Sequence, residues 1–146
     1  ATNVTGASLM TAAALPHLKE SRGRAMYLSS VSASHTPPWP GLGAYVVSKA
    51  ALERLIDAWR AEHPGVAFTR LVVGECAGGE GEGMTECANS WDPELAAEMA
   101  PVWLSRNYMT GDLLDVEDLV EAVHAVLQTG PNSHIPTIAV TPRIPG

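Results

Sequence analysis

The sequence predicts an α/β fold with a largely parallel sheet covered by helices. Two observations carry this. Apolar and β-branched runs of strand length alternate with longer segments of helical periodicity, and Gly or Pro punctuates the joints between them. Read in order, the segments run α-β-α-β-α-α-β, and strands separated by helices pair in parallel because the helix carries the chain back across the sheet. At 146 residues and 46% hydrophobic, the chain is long enough to bury a core and is expected to form a single domain over 1–146.

Each element has its own signal. Residues 3–20 carry an Ala-rich apolar stripe of helical period, with Pro16 expected to break or bend it. Ser21-Arg22-Gly23 stops that helix, and Arg24 to Val31 reads as a short strand. Between 32 and 43, three prolines and two glycines predict a loop. From Ala44 to His63 a long helix follows, with Ala51, Leu55, Ile56 and Trp59 at helical spacing and Pro64-Gly65 as its stop. Val66 to Val73 is a buried strand by its β-branched, apolar content. A Gly- and Glu-rich loop runs from Gly74 to about Ser90. Asp92-Pro93-Glu94 supplies an N-cap, a first-turn proline and a first-turn acid for a helix to about Leu104. Asp115 caps another helix to Gln128, with Gly130 beyond it, and Ile135 to Thr141 is the last strand.

Composition excludes several function classes. Sixteen acids against nine bases, without a Lys/Arg cluster, argue against nucleic-acid and anionic-membrane partners, which both require a basic footprint. No apolar stretch approaches the ~20 residues of a spanning helix. Two cysteines, Cys76 and Cys87, are too few for a disulfide scaffold, so a reduced, cytoplasmic setting is expected. The five histidines are dispersed and predict no metal site. The chain opens at Ala1 rather than Met, as expected of a processed chain or of a piece of a longer one.

The strongest local signal is Tyr45-Val46-Val47-Ser48-Lys49 at the head of the long helix. A spacing of four places both side chains on one helical face, with Cβ atoms about 5–6 Å apart. A free tyrosine titrates near pH ~10, but an adjacent ammonium favours the phenolate, and each tenfold gain in ionisation corresponds to about 1.4 kcal/mol. Such a pair suits general acid/base work near neutrality. Taken alone, the same string also fits an ordinary pair on a helix surface.

Its surroundings decide between the two. The stretch AALPHLKESRGRAMYLSSVSA followed by GAYVVSKAALERL resembles the short-chain dehydrogenase/reductase family, in which a strand ending Ser-Ser precedes Tyr-x-x-x-Lys on the next helix. Asn3-Val4-Thr5-Gly6 is similar to that family's Asn-x-x-Gly helix start, and Asn3 lies 27 residues before Ser30, as the family pattern requires. The resemblance is close over about 1–74 and loose beyond. It implies a Rossmann-like, doubly wound parallel sheet that is incomplete here, because the family's N-terminal nucleotide-binding part is missing from this sequence.

The resemblance further implies an oxidoreductase that transfers a hydride between NAD or NADP and a carbonyl or secondary alcohol. Tyr45 is the general acid/base. Lys49 supports the tyrosine and holds the nicotinamide ribose, Ser30 orients the substrate oxygen, and Asn3 anchors a water chain that resupplies the proton. Ser32 competes with Ser30, because the interval from Ser30 to Tyr45 is about two residues longer than usual. Ser29 and Ser34 are then expected in a solvated loop. Helices 3–20 and 44–63 correspond to the family's subunit interface, so a homo-oligomer is expected.

Two departures matter. After Val73 the family has Pro-Gly and soon a threonine, whereas this chain has Gly74-Glu75-Cys76 with Gly78 at the threonine's place. Backbone contact with the cofactor at Gly74 is retained as an expectation, and Thr85 is a distant substitute for the threonine. The Gly-rich turn that cradles the pyrophosphate on a helix N-terminus is also missing. The isolated chain is therefore expected to bind NAD(P)H weakly or not at all. The run Gly78–Gly83 is no replacement, since its glutamates repel phosphate; the family places a lid over the substrate here. Met84, Trp91, Met99 and Trp103 either wall an apolar pocket or pack their helix onto the sheet.

Two rival readings differ in class. One is a non-catalytic fragment that acts as an oligomerising or binding module. The other takes Gly74-Glu75-Cys76-Ala77-Gly78 as the nucleophile elbow of an α/β-hydrolase, with Asp115 or Asp118 and then His124 or His134 completing a triad. An elbow must open directly into a helix, and here more glycines follow.

Overall fold

A computed structural model of the chain describes residues 1–77, 91–110 and 112–143. A π-helical stretch, Thr2–Gly6, leads into α1 (Ala7–Ser21), followed by β1 (Arg24–Ser30) and a single turn of helix, α2 (Val31–Ser34). The long helix α3 (Gly43–Glu62) precedes β2 (Ala67–Val73) and a two-residue strand, β3 (Cys76–Ala77). Then come α4 (Pro93–Ser105), β4 (Leu114–Asp115), α5 (Val116–Leu127) and β5 (Thr137–Val140).

The fold is α/β, with an open, three-stranded parallel sheet in the order β1-β2-β5. This is an incomplete Rossmann-like arrangement. Ser30 pairs with Val73, and Val73 with Val140, so the carboxyl ends of all three strands finish level. In open parallel sheets that end is where ligands bind. The short strands β3 and β4 pair with each other, apart from the main sheet.

Several boundaries differ from expectation for local reasons. Pro16 lies inside α1 without breaking it; the irregular turn falls instead at Thr2–Gly6. Helix α1 ends on Arg22 in the left-handed conformation, with the Gly23 amide donating to the Leu18 carbonyl. Val31 leaves the strand because the Ser30 hydroxyl accepts from the Ser32 amide and so caps α2. The caps read from sequence are in place: Asp92 accepts from the Glu94 and Leu95 amides, and Asp115 from the Glu117 amide.

Two apolar clusters hold these elements. In the first, Leu52 and Ile56 of α3 meet Phe68 of β2, flanked by Leu15, Leu18, Tyr27 and Trp59. Complete burial of Phe68 and Ile56 is worth roughly 1.5–3 kcal/mol each. The second lies at the carboxyl ends of the strands, where Trp39 and Trp103 pack with Val31 and Val72. Both indoles are satisfied: Trp39 Nε1 donates to Thr36 Oγ1 at 2.7 Å and Trp103 Nε1 to the Pro40 carbonyl at 2.9 Å. Arginines secure the approach to β5. Arg60 donates to the Phe68 and Pro136 carbonyls, and Arg24 to those of Thr129, Gly130 and Ser133.

Candidate active site

The head of α3 carries Tyr45 and Lys49, and the carboxyl end of β1 carries Ser30. Tyr45 and Lys49 are both half-buried, one helical turn apart. Lys49 Nζ lies 5.7 Å from the centroid of the Tyr45 ring, within the range of a cation–π contact. The same ammonium donates to the Leu28 carbonyl at 2.8 Å, which fixes it between the helix and β1.

Asn3 joins them from the π-helical stretch. Its Nδ2 donates to Ser48 Oγ at 3.0 Å, and Ser48 Oγ donates to the Tyr45 carbonyl at 2.7 Å. Single π-turns widen a helix locally and recur at functional sites, and this one carries the asparagine. Asn3 and Lys49 line one cavity of about 390 Å³, together with Gly6, Met10, Tyr27 and Leu28.

Ser30 and Ser32 are both buried, with their hydroxyl oxygens 2.9 Å apart. The two candidate serines therefore present neighbouring hydroxyls at one spot. The solvated loop expected around them is not found. Ser29 is 2% exposed and donates to Glu53 Oε1 at 2.6 Å, and Ser34 donates to the same oxygen at 3.0 Å. The carboxylate on α3 draws these hydroxyls inward.

Gly74 sits one residue past Val73, the register partner of Ser30. Its amide donates to the Val140 carbonyl at 2.9 Å. A Cβ there would lie 2.9 Å from Pro142 Cδ and 3.1 Å from Thr141 Cα, so glycine is required for the close approach of the chain beyond β5. That packing demand is independent of any cofactor.

The aromatic residues beyond the main sheet resolve toward packing. Trp91, Met99 and Trp103 close on Trp39, with ring centroids 5.3 Å apart for Trp39–Trp103 and 5.5 Å for Trp91–Trp103. Gly78, the run to Gly83, Met84, Thr85 and Cys87 lie outside the described residues.

The groups of the hydrolase reading are engaged elsewhere. Cys76 occupies β3, and burial, followed by the nearby Asp115 carboxylate, pushes its thiol up, the opposite of an activated nucleophile. His124 pairs with the Gln128 side chain, and His134 Nε2 meets the Phe68 carbonyl. Among the described residues no group of three or more His, Cys, Asp or Glu is placed to hold a metal ion. No helix among them is long and apolar enough to cross a membrane.

Sequence reasoning passed over the charged network beneath the site. Arg70 of β2 bonds Glu53 Oε2 at 3.1 Å and Asp57 Oδ1 at 2.9 Å, both on α3. A signal for it was present: Arg70 is the one charged residue in a largely buried strand, and a charge there needs a partner.

Comparison with known proteins bears on the family and the fold. Residues 1–79 match the family model described as short chain dehydrogenase. No curated protein matches the chain. Among solved structures it is similar to an alcohol dehydrogenase from the archaeon Thermococcus sibiricus complexed with 5-hydroxy-NADP, at 20% identity and TM-score 0.70, over 94% of this chain and 49% of that one. It is also similar to a short-chain dehydrogenase from Streptomyces avermitilis, at 23% identity and TM-score 0.63, over 94% and 49%. A third is the closed form of a serine dehydrogenase complexed with NADP+, at 24% identity and TM-score 0.68, over 95% and 52%. These likenesses show the fold. The chain spans about half the length of the structures it matches.

Proposed function

The chain belongs to the short chain dehydrogenase family, and on that premise we propose that it serves hydride transfer between NAD or NADP and a carbonyl or secondary alcohol. The observation that carries this reading is the Lys49 ammonium held 5.7 Å from the centroid of the Tyr45 ring, beside a cavity that Asn3 also lines.

The roles follow from chemistry. The Tyr45 hydroxyl donates a proton to the substrate oxygen in reduction, and the Tyr45 phenolate takes one from the substrate hydroxyl in oxidation. Lys49 stabilises the phenolate left behind, since an opposite charge within reach favours the ionised form. Ser30, with Ser32 beside it, holds the substrate oxygen in line with Tyr45. Asn3 orders the water that returns the proton through Lys49. The residues present suit the nicotinamide end of the cofactor: Lys49 offers ammonium donors for a ribose, Tyr45 its phenol, and Gly74 its backbone at the strand end. When bound there, NAD(P) would supply the hydride in reduction and accept it in oxidation.

The test is Tyr45→Phe in the protein as its gene encodes it, assayed with NADH and NADPH against simple aldehydes, ketones and β-ketoesters. Turnover is expected to fall about 10²–10⁴-fold, the usual contribution of a positioned acid/base, with cofactor affinity nearly unchanged. Full turnover in the variant would refute the assignment.

The proposed partners are small carbonyl or alcohol substrates and a second copy of this chain. Leu9 and Met10 on α1 and Val47 on α3 are each about two-thirds or more exposed, and these two helices would carry the contact. This observation also favours the second reading, a non-catalytic association module, which Tyr45→Phe separates from the first. The cytoplasm as setting and the exclusion of nucleic acid and membranes stay part of the proposal, on cysteine usage and charge.

A further inference from the structure

We propose that Glu53 is a positioning residue for this reaction, holding the serine end of β1 in register with the Tyr45–Lys49 face of α3; the inference rests on the hydride-transfer reading above. Glu53 lies one turn beyond Lys49 and two beyond Tyr45, so the three follow one another along a single helical face. It is 4% exposed. Its Oε1 accepts from Ser29 at 2.6 Å and from Ser34 at 3.0 Å, and its Oε2 from Arg70 at 3.1 Å.

Ser29 and Ser34 bracket the two candidate serines, Ser30 and Ser32. One carboxylate thus pins the chain on both sides of the hydroxyl that orients substrate, and it does so from the helix that carries the proton donor. Arg70 fixes the carboxylate in turn and is held by Asp57 through its other nitrogen. Stability alone gives little reason to keep such a group, because a buried ion pair replaced by apolar residues of similar volume is often neutral or better. Directional bonds from three elements onto one helix instead fix geometry, and a displacement of about 1 Å at a reacting group can cost on the order of 100-fold in rate.

The experiment compares Glu53→Leu, Glu53→Gln and Ser29→Ala with the parent and with Tyr45→Phe, in the NAD(P)H assay above, per cofactor-binding site. Glu53→Leu fills the volume without an acceptor, and kcat is expected to fall at least about tenfold with cofactor KM unchanged. Glu53→Gln keeps one oxygen for Ser29 and Ser34 but turns an amide N–H toward Arg70, and is expected to recover part of that loss. Ser29→Ala removes a single bond, keeps the test intact if Glu53→Leu does not fold, and is expected to lower kcat in the same way. If Tyr45→Phe is inactive while Ser29→Ala turns over at the parent's rate, the Glu53 inference is overturned and the hydride reading stands. Tyr45→Phe with full turnover overturns both.

Discussion

At the scale of single residues, Tyr27 links burial to pH. Desolvation at the sheet raises its pKa, opposed by the hydrogen bond with Thr11 at 2.7 Å. The folded chain keeps the phenol neutral while the unfolded chain ionises near pH ~10. The stabilisation is therefore complete below that pH and is lost as pH rises through the higher folded value. Urea midpoints between about pH 8 and about pH 11 should show the wild type losing ground on Tyr27→Phe; a constant difference would exclude the linkage. The catalytic candidates were legible one by one, since Tyr45, Lys49, Asn3 and Ser30 each stand in a recognisable string. Glu53 was not, because a glutamate on a helix reads as solvated until the strand beside it places Arg70 and Ser29 against it.

At the scale of elements, the glycines separate conformational need from contact need. Gly74→Ala drives a methyl against Pro142 and the backbone at Thr141, and should destabilise by about 1–3 kcal/mol, as overpacking does. Gly43, in the first turn of α3, has open space around it, and Gly43→Ala should instead stabilise by about 0.5–1 kcal/mol through helix propensity. Denaturant titrations of the two variants check both signs, and a neutral Gly74→Ala would refute the close approach. The long elements were legible because period and caps agree: α3 and β2 fall within one residue of their expected limits. The short ones were not. The single turn α2 exists through a serine hydroxyl capping its own strand end, and β3 and β4 arise only from pairing across 38 residues, which local pattern does not encode.

At the scale of the whole molecule, the apolar residues left outside the core bear on association. Leu9, Met10 and Val47 are exposed on α1 and α3, and sedimentation of Met10→Lys and Val47→Glu should show the dimer proposed through these helices dissociating to monomer. An unchanged mass for both variants would remove that surface from consideration. Parallel topology was legible from the alternation of helices and strands, while the strand order β1-β2-β5 was not, since it depends on which edge the last strand joins. One bond in the structure has a mechanical consequence as well as a chemical one. The Leu28 carbonyl of β1 accepts from the Lys49 ammonium of α3. Lys49 is therefore a tether between helix and strand, and neutralising it, by acetylation or substitution, would loosen α3 from β1 even where no proton is to be moved.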